Sequence, residues 1–173
     1  INCLLTDKTG TLTEGNLKVT SYVNYANKKI SNLKTLSSSL QEEIINNLYY
    51  NNSSILNTSG EITGGNQTDK ALLKIVNKPI KERKIITKKL FDSKDKYSSV
   101  TLDNEVTYFK GAKEVLLDKC LYYLDSSGNK KVLLNKEVIS KNIDNEAKTG
   151  SRIIFLTSKD KHSTSHTYLG YLI

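Results

Sequence analysis

The stretch KYSSVTLDNEVTYFKGA, from Lys96 to Ala112, constrains this chain most. It holds two runs of alternating character, rich in Val, Thr, Tyr and Phe, the pattern of strands with one buried face. Between them stands Asp103-Asn104, a pair that tolerates positive φ, so the stretch predicts an antiparallel hairpin. Strand character dominates from Ile85 onward, SRIIFLTS and HTYLGYLI read as closing strands, and Asn16–Tyr25 predicts an early one. A sheet of this kind needs helices on its apolar side. LSSSLQEEIINNLYY supplies one, with Leu36, Leu40, Ile44 and Leu48 about one helical face apart. NNSSILNTSGEITGGNQT is polar and glycine-rich, hence loop. Thr68 then reads as the N-cap of a short helix striped by Ala71, Leu72, Ile75 and Val76 and limited by Pro79. AKEVLLDKCLYYL predicts a helix, DSSGNK a loop, and NKEVISKNIDNEAKTG a second helix ending near Gly150. The fold class is therefore α+β, an antiparallel β-sheet flanked by helices, with the opening strand and the last residues reading as stubs of a different sheet.

Composition removes several classes. A chain of 173 residues with 37% hydrophobic and 25% charged residues has room for a core. No apolar run approaches the roughly 18 residues of a membrane helix. A sequence without Met that opens in mid-strand reads as an excised fragment. Cys3 and Cys120 are too few for a disulfide framework and read as packing thiols. The net charge of +8 suits an anionic partner, but its lysines are scattered from Lys8 to Lys161 with only short clusters such as KERK. No basic stripe interleaved with aromatics appears, so no nucleic acid is expected. His162 and His166 share the polar stretch KDKHSTSHT and lack further metal ligands nearby.

The chemistry sits at the front, in INCLLTDKTGTLTEGN. Ile1–Leu5 reads as a buried strand running into a loop, which leaves Asp7 at the strand's C-terminal end, where open α/β sheets keep reactive groups. A carboxylate there can attack a phosphoryl group and form an aspartyl phosphate. The hydroxyls and backbone N–H groups that follow can hold the transferred oxygens, Gly10 permits a tight turn, and Lys8 adds fixed positive charge. Mg²⁺ would screen the phosphate charge. Thr9 stands where a related phosphatase pattern has a second aspartate that hydrolyses the acyl phosphate, which favours a persistent intermediate. A strand followed by an ordinary Asx or ST turn is the plainer alternative.

DKTGTLT is the phosphorylation-site signature of P-type ATPases, and the chain resembles that family along essentially its whole length. GGNQTDKALL resembles the segment with an acidic nucleotide contact, here Asp69. KKLFDSKDKYSSV resembles the strand bearing an adenine-stacking aromatic, here Phe91. YFKGAKE resembles the turn at the nucleotide pocket, giving Lys110, Gly111 and Ala112, and GSRIIFLTS the strand with a phosphate-reaching arginine, Arg152. Lys113 stands where the family usually has proline, and Asp69 where Glu is more usual. Read without the resemblance, Phe91 suits either a stacking face or an inward core position. Lys110 and Arg152 suit either phosphate neutralisation or solvated surface, and Asp69 simply favours a helix dipole. Ser93 joins the nucleotide-binding set, although by itself it reads, like Ser98, as a strand-edge hydroxyl.

The resemblance implies residues 1–19 as the N-terminal part of a phosphorylation domain. It implies 20–165 as a nucleotide-binding domain and 166–173 as a return strand toward the phosphorylation domain, with short stubs of a Rossmann-like domain at both ends. It implies ATP and Mg²⁺ as ligands, with Asp7, Lys8 and Thr9 catalytic and Asp7 and Thr9 near the metal. The parent would be an integral membrane pump with this domain at the cytoplasmic face. Its partners would be the pump's other domains and transmembrane helices, with the cation bound elsewhere. The histidine-proline pair and Gly-rich nucleotide loop of heavy-metal members are absent, so the chain looks more like pumps for Ca²⁺, Mg²⁺, other hard cations or protons. A fragment without the rest of the phosphorylation domain is expected to be inactive alone. The competing reading is a non-catalytic basic domain that binds acidic partners or nucleic acid.

Overall fold

The computed structural model describes Cys3, Leu5, residues 15–77 and residues 79–173. Asp7, Lys8 and Thr9 lie outside the described residues, so the expectations placed on them are not addressed by it. The Lys96–Ala112 hairpin forms as β6 (Tyr97–Leu102) and β7 (Val106–Gly111). Its turn closes with the Glu105 N–H donating to the Leu102 carbonyl. The positive φ falls on Glu105, at 62°, rather than on Asp103 or Asn104. That is a type I turn followed by a left-handed residue, the common three-residue hairpin loop.

This hairpin sits within a nine-stranded sheet. Its long path runs from β2 (Lys29–Ile30) through β1 (Tyr22–Val23), β11 (His166–Leu172), β10 (Ile154–Asp160), β7 and β6 to β5 (Ile85–Asp92). β8 (Cys120–Leu124) pairs parallel with the first half of β11 and antiparallel with β9 (Lys130–Val132); every other pairing is antiparallel. Helices α1 (Ser38–Tyr50) and α2 (Gln67–Val76) cover one face. The short α3 (Lys113–Leu116) and α4 (Lys136–Ala147) cover the other.

Two cores result. Leu40, Ile44, Leu48, Leu72 and Val76 of the first two helices meet Leu156, Leu169 and Leu172. Across the sheet, Leu116, Ile139 and Ile143 meet Phe155, Tyr168 and Tyr171. Strict alternation along β11 would set Tyr168 and Tyr171 on opposite faces. A bulge at Leu169–Gly170 inserts the extra residue that brings both tyrosines to one face, opposite the register shift between Leu156 and Thr157. Gly170 has φ +116°, and a Cβ there would collide with the Tyr22 ring, so glycine is required.

Several expectations are corrected. The early strand shrinks from Asn16–Tyr25 to Tyr22–Val23, because Asn24 and Asn27 turn the chain back onto β2. The stretch read as loop after α1 contains a small hairpin, β3 (Ser54–Leu56) paired with β4 (Ile62–Gly64). Asn66, not Thr68, caps α2: its side chain accepts from the Asp69 N–H. The helix read across residues 112–124 stops after α3 and one 3-10 turn, and Cys120–Leu124 continues as β8 because β11 offers an open edge there. The last residues, read as a stub of a different sheet, form β11 in the interior of this one.

Candidate functional site

Between the N-terminus of α2, the end of β7 and the start of β10 lies a cleft of about 480 Å³. It is lined by Asn66, Gln67, Thr68, Asp69, Phe91, Ser98, Lys110, Gly111, Ala112 and Arg152 over an apolar patch of Leu72, Ile153 and Ile154. Of the residues singled out in the sequence, it brings together Asp69, Phe91, Lys110, Gly111 and Arg152. Ser93 is not among its lining residues: it sits exposed in the turn between β5 and β6. The larger hollow of about 870 Å³ beside Lys18, Lys34 and Lys74 contains none of the singled-out residues.

The floor is polar and dry. β6 and β7 pair Ser98 opposite Lys110, and alternation turns both inward with Val100 and Tyr108. The Lys110 Nζ donates to Asp69 Oδ1 at 2.8 Å and to Ser98 Oγ at 3.0 Å. Asp69 Oδ2 accepts from the Ser53 N–H at 2.8 Å and from the Ser53 hydroxyl. Burial alone would raise the Asp69 carboxyl, but the Lys110 ammonium and the Ser53 donors outweigh it and hold it below the usual carboxylate range. Burial pulls the Lys110 ammonium below its ordinary value, against the pull of Asp69. The solvated reading of Lys110 is thus overturned: it is 6% exposed.

The rim is built differently. Phe91, near the end of the edge strand β5, is 55% exposed and turns to the cleft, so it is not a core residue. Arg152 reaches across to donate to the Thr68 hydroxyl at 2.6 Å. The free N–H groups at the start of α2 add a partial positive charge on the same side. Gly111 allows the floor to close, because a Cβ there would run into the Lys96 carbonyl and the Tyr97 backbone. Lys113 ties α3 to α4 through Ser140 Oγ at 2.8 Å and Asp144.

Sequence reasoning missed four contributors. Ser98 was legible as an inward position of the β6 alternation. Asn47 and Asn51, spaced by four on the face that also carries Ile44 and Leu48, donate to strand carbonyls beneath the cleft: Asn47 to Phe109 at 2.8 Å, Asn51 to Ser98 at 3.1 Å. Asn52 ties α1 to α2 by donating to the Asp69 carbonyl at 3.0 Å. Chemically, the arrangement offers a flat apolar face at the edge, two cations and a helix N-terminus, which suits a ligand with a planar part and an anionic part. Among the described residues no group of three or more His, Cys, Asp or Glu could hold a metal ion. His166 is buried against Thr157, its Nδ1 2.9 Å from the hydroxyl.

An α+β domain with a single-sheet core and an aromatic-edged cationic cleft is the class that fold and cleft define. The family model for the P-type ATPase cytoplasmic domain N matches residues 39–169. The chain is also similar to a probable cation-transporting P-type ATPase of Mycoplasma pneumoniae, at 32% identity over 126 residues, covering 69% of this chain and 13% of that protein. The chain belongs to the P-type ATPase family, within its cytoplasmic domain N, and spans a small part of that relative's length. No helix of the described residues is long and apolar enough to cross a membrane.

Proposed function

We propose that this chain is the ATP-binding domain of a P-type cation-transporting ATPase, and that the longer protein passes the γ-phosphoryl group of ATP to Asp7. The observation that carries the reading is convergence. Residues from separate segments, Asp69 on α2, Phe91 on β5, Lys110 on β7 and Arg152 before β10, line one cleft of about 480 Å³. In this reading the adenine ring lies on Phe91, where a base–aromatic contact contributes about 1–3 kcal/mol. Lys110 supplies positive charge from the floor, and Arg152 exchanges Thr68 for phosphate oxygens at the rim. Asp69 keeps Lys110 charged and in place. Mg²⁺ would screen the phosphates beside Asp7 and Thr9; the described residues supply no carboxylate cluster of their own for it.

Cation transport, the membrane location of the parent and its other domains belong to this proposal, supported by family membership. Titrating ATP and a random oligonucleotide against the chain tests the domain's part. Saturable nucleotide binding that needs the base as well as the phosphates supports the reading, whereas oligonucleotide binding that falls steeply with salt supports the basic interaction domain instead. In the longer protein, Asp7→Asn should abolish hydroxylamine-labile label from ATP and leave nucleotide binding nearly intact.

A further inference from the structure

We infer that the cleft reads purines loosely and accepts guanine nucleotides about as well as adenine nucleotides. The inference rests on the ATP-site reading above and concerns what in that site could tell one base from another. Adenine presents an amino donor at the position where guanine presents a carbonyl acceptor. A site that prefers adenine therefore needs a fixed acceptor there, and Asp69 is the acid that lines the cleft.

Asp69 is buried and already engaged through both oxygens. Its Oδ1 takes the Lys110 ammonium, its Oδ2 takes the Ser53 N–H and hydroxyl, and its side chain is 6% exposed. The neighbouring polar side chains are donors or engaged acceptors. Lys110 has no acceptor and gives two of its three protons to Asp69 and Ser98. The Ser98 oxygen accepts from Lys110 and keeps a proton to donate. The Thr68 oxygen accepts from Arg152, itself a pure donor. The Asn66 carbonyl oxygen caps α2 by accepting from the Asp69 N–H.

Gln67 is different. As the first residue of α2 it is exposed on the cleft wall, and no hydrogen bond ties its side chain to another described residue. Its amide carries an acceptor and a donor of similar reach and can turn either toward the base. It meets the adenine amino group with its oxygen and the guanine carbonyl with its nitrogen. Stacking on Phe91 is indifferent to the choice, since every base has a π-face. Strong rejection of an analogue comes from buried polar groups left unpaired, and an exposed, rotatable amide leaves none.

The test is titration of the 173-residue chain with ATP and with GTP, repeated on Gln67→Glu. A carboxylate at the first turn of α2 suits the helix dipole, so this variant keeps the fold. The parent should bind the two nucleotides within about threefold of each other, against the 10⁴-fold discrimination of a site with dedicated polar contacts. Gln67→Glu, now acceptor-only, should separate them by about tenfold in favour of ATP. GTP binding tenfold or more weaker than ATP in the parent overturns the inference while leaving the ATP site standing. So does an unchanged ratio in Gln67→Glu. A folded chain that binds neither nucleotide overturns the ATP-site reading itself, and the inference with it.

Discussion

β5 and β11 are strands of similar length in one sheet, and they are used in opposite ways. Every residue of β11 is buried, between α1 on one face and α4 on the other, with β10 on one side and β1 and β8 on the other. No residue of β5 is buried, and among the described residues no strand lies beside its outer edge. The central strand holds the domain together, and the edge strand is free to present Phe91 to the cleft. In the proposed reading, stability and recognition are thus separated by position in the sheet, with the Asp69–Lys110 pair between them, buried and lining the cleft.

The separation is sharpest at Tyr168, whose ring stacks on Phe155 with centroids 4.8 Å apart and is 1% exposed. Tyr168→Ala should cost about 3–5 kcal/mol, the usual range for emptying a buried aromatic site. Denaturant titration reads this directly, and a loss near zero would break the comparison from the β11 side. Asp69→Ala should cost about 3 kcal/mol, because it strands the Lys110 ammonium in a dry floor. Replacing Asp69 and Lys110 together by apolar residues should recover much of that loss, and a double-mutant cycle measures how much.

His166, at the start of β11, gives the comparison a pH dependence. Burial first, then Lys119 and Lys159, push its imidazole down from 6.5 to about 4. The folded state therefore resists a proton that the unfolded chain accepts. Stability from this group is complete above about pH 6.5, falls as pH drops toward 4 and levels off below, by on the order of 3 kcal/mol. His166→Gln should flatten that acid limb in melts run between pH 7 and pH 4, and a limb that persists unchanged would place its origin elsewhere. At the rim, Arg152→Ala should move stability by less than about 1 kcal/mol while weakening ATP binding in a salt-dependent way, checked by titration at two ionic strengths.

Much of this division was legible in the residues. Alternation from Tyr97 to Gly111 gave the hairpin and, followed one step further, the inward direction of Ser98 and Lys110. The face Leu40–Ile44–Leu48 gave α1. What escaped depends on partners remote in sequence. Cys120–Leu124 is as apolar as a helix and becomes a strand because β11 lies beside it. The asparagines of α1 look like surface until the carbonyls of Phe109 and Ser98 are brought above them. Phe91 and a core phenylalanine cannot be told apart by alternation alone, because the choice rests on β5 being the last strand. The hold of Ser53 on Asp69 depends on how the chain folds back after α1, in a stretch that reads as loop.

A sheet whose edge is proposed to recognise a ring while its centre carries stability should respond to Phe91→Ala in binding and not in melting. Melting and ATP titration on the same sample of the variant should show a melting curve close to the parent's, since a half-exposed side chain contributes about 1 kcal/mol or less. ATP and ADP affinity should fall together by about 1–3 kcal/mol, and Phe91→Tyr and Phe91→Trp should keep much of it. A folded Phe91→Ala chain that binds ATP as tightly as the parent would contradict the account, as would a variant whose affinity falls only in step with a collapsing melting temperature.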